Sequence, residues 1–204
     1  MEDKKEHWES IFANKALDEV SWYEPSPTFS IELFHQYVSN KSASVLNVGG
    51  GDSLLFDYLV KDGYENLHLL DISSNAIERA KERLADTGES INYIVSDITA
   101  FEPTQIYDVW FDRAAFHFLT DPLSIKKYID VLNASTNSDS VIIIGTFSKD
   151  GPQKCSGIEI QQYNESDFKN LFESSFEVLE VLNVDHETPS ETVQNFNFAI
   201  LKKK

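Results

Sequence analysis

Short apolar runs of strand length alternate along the chain with segments whose apolar residues recur at helical spacing. SVLNV, NLHLLDIS, INYIVSD, YDVWFD and SVIIIGTF predict five strands, and FEVLEVLNVD and VQNFNFAILKK two more. Helices are predicted from the glycines near 50 to about Lys61 and over SNAIERAKERLAD, capped by Ser73 or Ser74 and ending near Gly88. Others cover DPLSIKKYIDVLNAS and about 165–174. Ahead of the first strand, residues 3–15 read as a helix with Trp8, Ile11 and Phe12 on one side. A second helix runs from about Thr28 to Ser39, behind Pro27. Such alternation predicts an α/β fold, a doubly wound and mainly parallel sheet with helices on both faces. About seven residues, Pro189 among them, separate the last two runs. That is too short for a helical crossover, so those strands are expected to pair antiparallel.

Composition narrows the picture. The 204 residues are 41% hydrophobic, enough for a folded core, and contain no repeat or long linker. One domain is expected, with residues 1–40 forming helices and a Trp/Tyr segment ahead of a core at 44–204. A net charge of −17 repels phosphate backbones and anionic lipid, which argues against a nucleic-acid or membrane partner. No apolar run of 18 residues occurs, and MEDKKEHWES lacks the apolar centre of a signal peptide. A cytoplasmic location is expected. Cys155, the single cysteine, allows no intrachain disulfide or multi-thiolate zinc site, and His7, His35, His68 and His186 are scattered, so no metal is expected.

The candidate chemistry begins at Gly49, Gly50 and Gly51, directly after the first strand. Glycines there let backbone approach a ligand, because no Cβ intervenes. Asp71 closes the second strand twenty residues after Gly51, placed to accept ribose hydroxyls. Asp97 closes the third, followed by Ile98, a pairing suited to the amine and face of adenine. A single Asp at a strand end is also common as a turn former. Two cofactor classes remain. A nicotinamide dinucleotide usually asks for a third glycine where this chain has Leu54, and Asp52 would repel its pyrophosphate. S-adenosylmethionine carries a sulfonium and no phosphate, so acidic surroundings suit it better.

The order VLNVGGGDS, LLDIS, SDIT, YDVWFDRAAFHFL resembles the class I S-adenosylmethionine-dependent methyltransferases over most of the chain. EVSWYEPSP, DRAAFHFLTDP and GTFSKDGPQKCSG further resemble a group of small bacterial-type enzymes in that class. The resemblance implies a Rossmann-like seven-stranded sheet with its last strand antiparallel. It also implies methyl transfer to a small molecule or a protein side chain. Cofactor contacts are implied at Asn47, Gly49, Gly50, Gly51, Asp71, Ile72, Asp97, Ile98 and Asp112. The class usually has an acid where this chain has Asn47; Asn keeps an acceptor oxygen and loses the charge. A nicotinamide-dependent oxidoreductase and an inactive methyltransferase-like protein are the alternatives.

On the acceptor side, Asp112 at the end of the fourth strand reads as a group beside the transferred methyl. His117 reads as a base or substrate donor. The other reading makes Asp112 and Arg113 an ion pair and His117 a half-buried structural histidine. Trp22 and Tyr23 either form a lid over the cofactor and an aromatic wall for a small substrate, or pin the N-terminal helix to the sheet. Cys155 either meets a soft acceptor or is inert, in a loop that Gly151 and Gly157 make mobile.

Overall fold

The computed structural model describes residues 2–87 and 91–204. Helices α1 (Glu2–Asn14) and α2 (Thr28–Tyr37) precede β1 (Ser44–Val48), α3 (Leu55–Lys61), β2 (Asn66–Asp71), α4 (Ser74–Leu84) and β3 (Asn92–Val95). Then come β4 (Val109–Arg113), α5 (Pro122–Ser135) and β5 (Val141–Phe147). A small ribbon, β6 (Lys154–Cys155) with β7 (Ile158–Glu159), leads to α6 (Glu165–Phe172), β8 (Phe176–Glu187) and β9 (Val193–Lys203). The ribbon was not foreseen, because two-residue strands leave no periodicity to read. The expected helix end at Gly88 lies outside the described residues.

The main sheet has seven strands in the order β3-β2-β1-β4-β5-β9-β8. Strands β1 to β5 are parallel, and β9 runs antiparallel to both β5 and β8. The anticipated architecture is present, with its last strand reversed. Chain order reverses beside β1, which pairs with β2 on one side and β4 on the other, and the crevice at that switch point is where such folds bind ligands.

Successive residues of the central strands face opposite layers. Val45, Leu69, Phe111 and Ile143 pack with Leu33, Phe34 and Phe56 on one side. Leu46, Leu70, Trp110 and Ile144 pack with Tyr128, Leu132 and Phe168 on the other. Both faces are covered, so the strands read as near-continuous apolar runs. Gly145 admits the ring of Phe198, whose nearest carbon would stand 2.4 Å from an added Cβ. Local signals set the helix starts: Ser73 Oγ accepts from the Ala76 amide at 3.2 Å, and Asp121 Oδ1 from the Ser124 amide at 2.9 Å.

Candidate active site

A cavity of about 320 Å³ opens at the carboxyl ends of the central strands, within the size range of small-molecule sites. Gly49, Gly50 and Gly51 line it. Gly49 (φ +60°) and Gly51 (φ +54°) hold the left-handed backbone that favours glycine. At Gly49 a Cβ would also stand 2.4 Å from that of Ala115, so glycine lets the loop after β4 close against the turn. Asp71 ties the turn down: its Oδ2 accepts from the Gly51 amide at 2.9 Å, and its Oδ1 from the Ser73 amide at 2.8 Å. Each oxygen keeps a lone pair for a ligand. Burial pushes this carboxyl up to about 6, against the pull of the two amides and with Asp52 and Glu9 adding to the rise.

Asp97 also lines the cavity, with Oδ1 accepting from the Thr99 amide and hydroxyl, both at 2.8 Å. Ile72 and Ile98 supply apolar wall, and Asn47, buried at its base, makes no side-chain hydrogen bond among the described residues. The foreseen cofactor residues thus meet in one place, with the exception of Asp112.

The part α1 plays in the roof was not foreseen, although a lid over the cofactor at Trp22 was one of the readings. Trp8 and Phe12 of α1 line the cavity, and Trp22 packs edge-on to both, with ring centroids 5.7 and 6.1 Å away. Three clamps hold α1 down. Lys4 Nζ donates to the Phe118 carbonyl at 2.8 Å. Glu9 accepts from the Ser73 hydroxyl and the Ser74 and Asn75 amides at the start of α4. Burial tends to raise its carboxyl, but these donors outweigh that and draw it down to about 2. Arg79 donates to the Phe12 and Lys15 carbonyls at 3.0 and 2.9 Å, and pairs with buried Asp52 at 3.0 Å. The available signal was Trp8 and Phe12, one helical turn apart on an otherwise charged helix.

Two residues expected at the chemistry lie elsewhere. Asp112 is wholly buried and does not line the cavity. Its Oδ1 accepts from the Ala115 and Phe116 amides at 2.9 and 3.1 Å, and its Oδ2 from the Tyr128 hydroxyl at 2.8 Å. Tyr128 in turn accepts from Trp110 Nε1 at 2.9 Å. Asp112 therefore shapes the turn through Ala114, which holds an unusual φ of +70° at the cavity wall. It forms no pair with Arg113, whose ionic partner is Glu24 at 3.4 Å. His117 is fully rather than half buried, and Nδ1 accepts from the Phe147 amide at 3.3 Å. Burial and then Arg113 push its pKa down to about 3, which leaves it neutral.

Trp22 and Cys155 do line the cavity, whereas Tyr23 faces a second one of about 220 Å³. The loop holding Cys155 is pinned: an added Cβ at Gly151 would stand 2.5 Å from the Asn195 carbonyl, and the Gly151 amide donates to Ser148. Burial pushes the Cys155 thiol up to about 11. At pH 8 a disulfide-exchange reagent should modify it at least about tenfold more slowly in native protein than in urea, because so little thiolate forms. Equal rates would refute the inert reading.

The acids lining the cavity are Glu24, Asp71, Asp97 and Asp121, against Lys4 and Arg113. This donor set disfavours a pyrophosphate at the glycine turn and suits a ligand rich in hydroxyls, amines and positive charge.

Residues 45–135 match the family model described as "Methyltransferase domain". Over that stretch, a little under half of its length, the chain is similar to methyltransferase domains. It is 28% identical over 116 residues to malonyl-[acyl-carrier protein] O-methyltransferase 1 of Ilyobacter polytropus, covering 56% of this chain and 42% of that protein. It is 31% identical over 121 residues to the eEF1A lysine and N-terminal methyltransferase of Bos taurus, covering 57% and 17% respectively. The chain thus spans less than half the length of these relatives. Among solved structures, a SAM-dependent methyltransferase from Anabaena variabilis superposes with a TM-score of 0.77, at 13% identity, covering 100% of this chain and 94% of that one. The N-methyltransferase NodS of Bradyrhizobium japonicum, solved with S-adenosyl-L-homocysteine, gives 0.73 at 16% identity, covering 98% and 97%. The chain shares the fold of both. No helix among its described residues is long and apolar enough to cross a membrane.

Proposed function

We propose that the cavity binds S-adenosylmethionine and that the domain transfers its methyl group to a small molecule. One observation carries this reading: the glycine turn, Asp71 and Asp97 line a single cavity at the switch point. When bound, the cofactor would supply a methyl group already activated on sulfur. Asp71 offers its two remaining lone pairs to the ribose hydroxyls. Asp97 offers Oδ2 to the adenine amine, between Ile72 and Ile98. Asn47 Oδ1 serves the methionine ammonium in place of the usual acid. The α1 roof keeps water from the reacting centre, so positioning is the chain's main contribution.

Asp112 and His117 stand outside the cavity, and we give neither a proton-transfer role. The roofed cavity favours a small acceptor over a protein side chain, although the relatives named above include a lysine methyltransferase. A free, buried cysteine suits a reducing compartment, and we place the protein in the cytoplasm.

Calorimetric titration tests the reading. S-adenosylhomocysteine should bind in the micromolar range and NADH should not; NADH binding alone, or neither, overturns it. The complex should also be acid-sensitive. Asp71 must be ionised to accept both hydroxyls, and its carboxyl sits near 6, with Glu9 and Asp52 facing it. Affinity should therefore fall about tenfold from pH 7.5 to pH 5. Stability carries opposing contributions over the same range. Asp71 and Asp112, near 6 when folded, bind more protons folded than unfolded and favour the fold as pH falls from 7 to 5. His117, near 3 when folded, takes up its proton only on unfolding and opposes them, so the urea midpoint should change little. A flat affinity profile would remove Asp71 from ligand binding.

A further inference from the structure

The smaller cavity lies between the Tyr23–Ser30 segment and the β8–β9 hairpin, walled by Phe29, Phe196 and Phe198. It meets the larger one at three residues that line both: Glu24, Ser30 and Arg113. Arg113 is only 13% exposed at its side chain and makes one hydrogen bond, from Nη1 to the Trp22 carbonyl at 3.2 Å. Its guanidinium lies over the Phe196 ring, 5.1 Å from the centroid. Its Nη2 is buried without a hydrogen-bond partner, because Glu24 at 3.4 Å is out of line for one. The hydroxyl of Ser30, also buried, makes no hydrogen bond among the described residues. Two donors without a hydrogen bond among the described residues therefore stand on the wall that the two cavities share, and for the buried Nη2 group that costs about 1–3 kcal/mol.

We infer that the smaller cavity admits the methyl acceptor, and that Arg113 and Ser30 hold a carboxylate of that acceptor at the passage between the two cavities. This rests on the reading that the larger cavity holds the cofactor. Glu24 occupies the anion's place loosely and can be displaced. His186 donates through Nε2 to the Ser21 carbonyl at 2.7 Å, so its Nδ1, 3.7 Å from Glu24, carries a lone pair and does not hold that carboxylate. Cys155, a thiol at neutral pH, brings no competing charge. Asp185 and Glu187 make the mouth acidic, but both are exposed there and water and salt screen them. The buried guanidinium is not screened, so its charge decides what the passage accepts. A planar fork of donors fits a carboxylate better than any neutral group.

The test is a ligand-observed NMR titration of the full chain with phenylacetate, phenylacetamide and phenethylamine, with and without S-adenosylhomocysteine. Phenylacetate should bind about tenfold or more tighter than the amide or the amine. Arg113→Gln should weaken it about tenfold or more, Ser30→Ala severalfold, and Glu24→Gln should strengthen it by removing the competitor. The Glu24→Gln/Arg113→Gln double variant removes both charges together and leaves no lone buried ion, so it separates lost binding from lost folding. Absence of phenylacetate binding in the wild type, preference for the amine, or unchanged phenylacetate binding in a folded double variant overturns the proposal. Phenylacetate binding without any S-adenosylhomocysteine binding supports the carboxylate site and overturns the cofactor reading alone.

Discussion

Asp71→Asn should weaken S-adenosylhomocysteine binding about 30- to 100-fold, the equivalent of about 2–3 kcal/mol. The change is nearly isosteric, yet it replaces one acceptor oxygen with a donor. If the new amide faces the Gly51 N–H, two donors meet and the glycine turn loses its tie. If it takes the Oδ1 place it meets the Ser73 N–H instead, and in either orientation a ribose hydroxyl loses an acceptor. Both outcomes weaken the same complex, so the loss exceeds that of one exposed hydrogen bond. Calorimetry reads the affinity, and circular dichroism at the same temperature shows whether the fold persists. Wild-type affinity in a folded variant would limit Asp71 to shaping the turn.

Asp112→Ala should destabilise the fold by about 4 kcal/mol, since it strands the Ala115 and Phe116 amides and the Tyr128 hydroxyl in a site without water access. Asp112→Asn should cost less, about 2 kcal/mol: its carbonyl still accepts from both amides, but its amide faces the Tyr128 oxygen and leaves that hydroxyl's proton without an acceptor. Urea unfolding monitored by tyrosine and tryptophan fluorescence measures both. Equal loss in the two variants would mean that charge, not hydrogen bonding, holds this corner together.

The strands and most helices were legible because both faces of the sheet are buried, which turns each strand into an apolar run bounded by turn residues. Asp71 and Asp97 were legible from their spacing behind the glycines. Asp112 was misplaced for a reason that strand parity could have supplied. Trp110 and Asp112 share a face, the one packed on α5, whereas Phe111 and Arg113 point to the cavity side. The last residue of a strand is not thereby in the crevice; its parity decides. Arg113, not its neighbour, has the parity that brings a side chain to the cavity wall. The helical part of the roof was illegible for another reason. α1 lies far from the glycine turn in sequence, and nothing local in MEDKKEHWES says which distant backbone Glu9 will cap.

The reversed strand β9 divides the molecule's debts to its sequence. The floor of the larger cavity comes from residues 47–115, inside the stretch that matches the methyltransferase domain family. The smaller cavity takes Val184, His186, Phe196 and Phe198 from the β8–β9 hairpin, outside that stretch. Substitutions in the hairpin can therefore recast one chamber while the glycine turn, Asp71 and Asp97 stay as they are. A change in the hairpin thus reaches one chamber without replacing any residue that lines the other's floor.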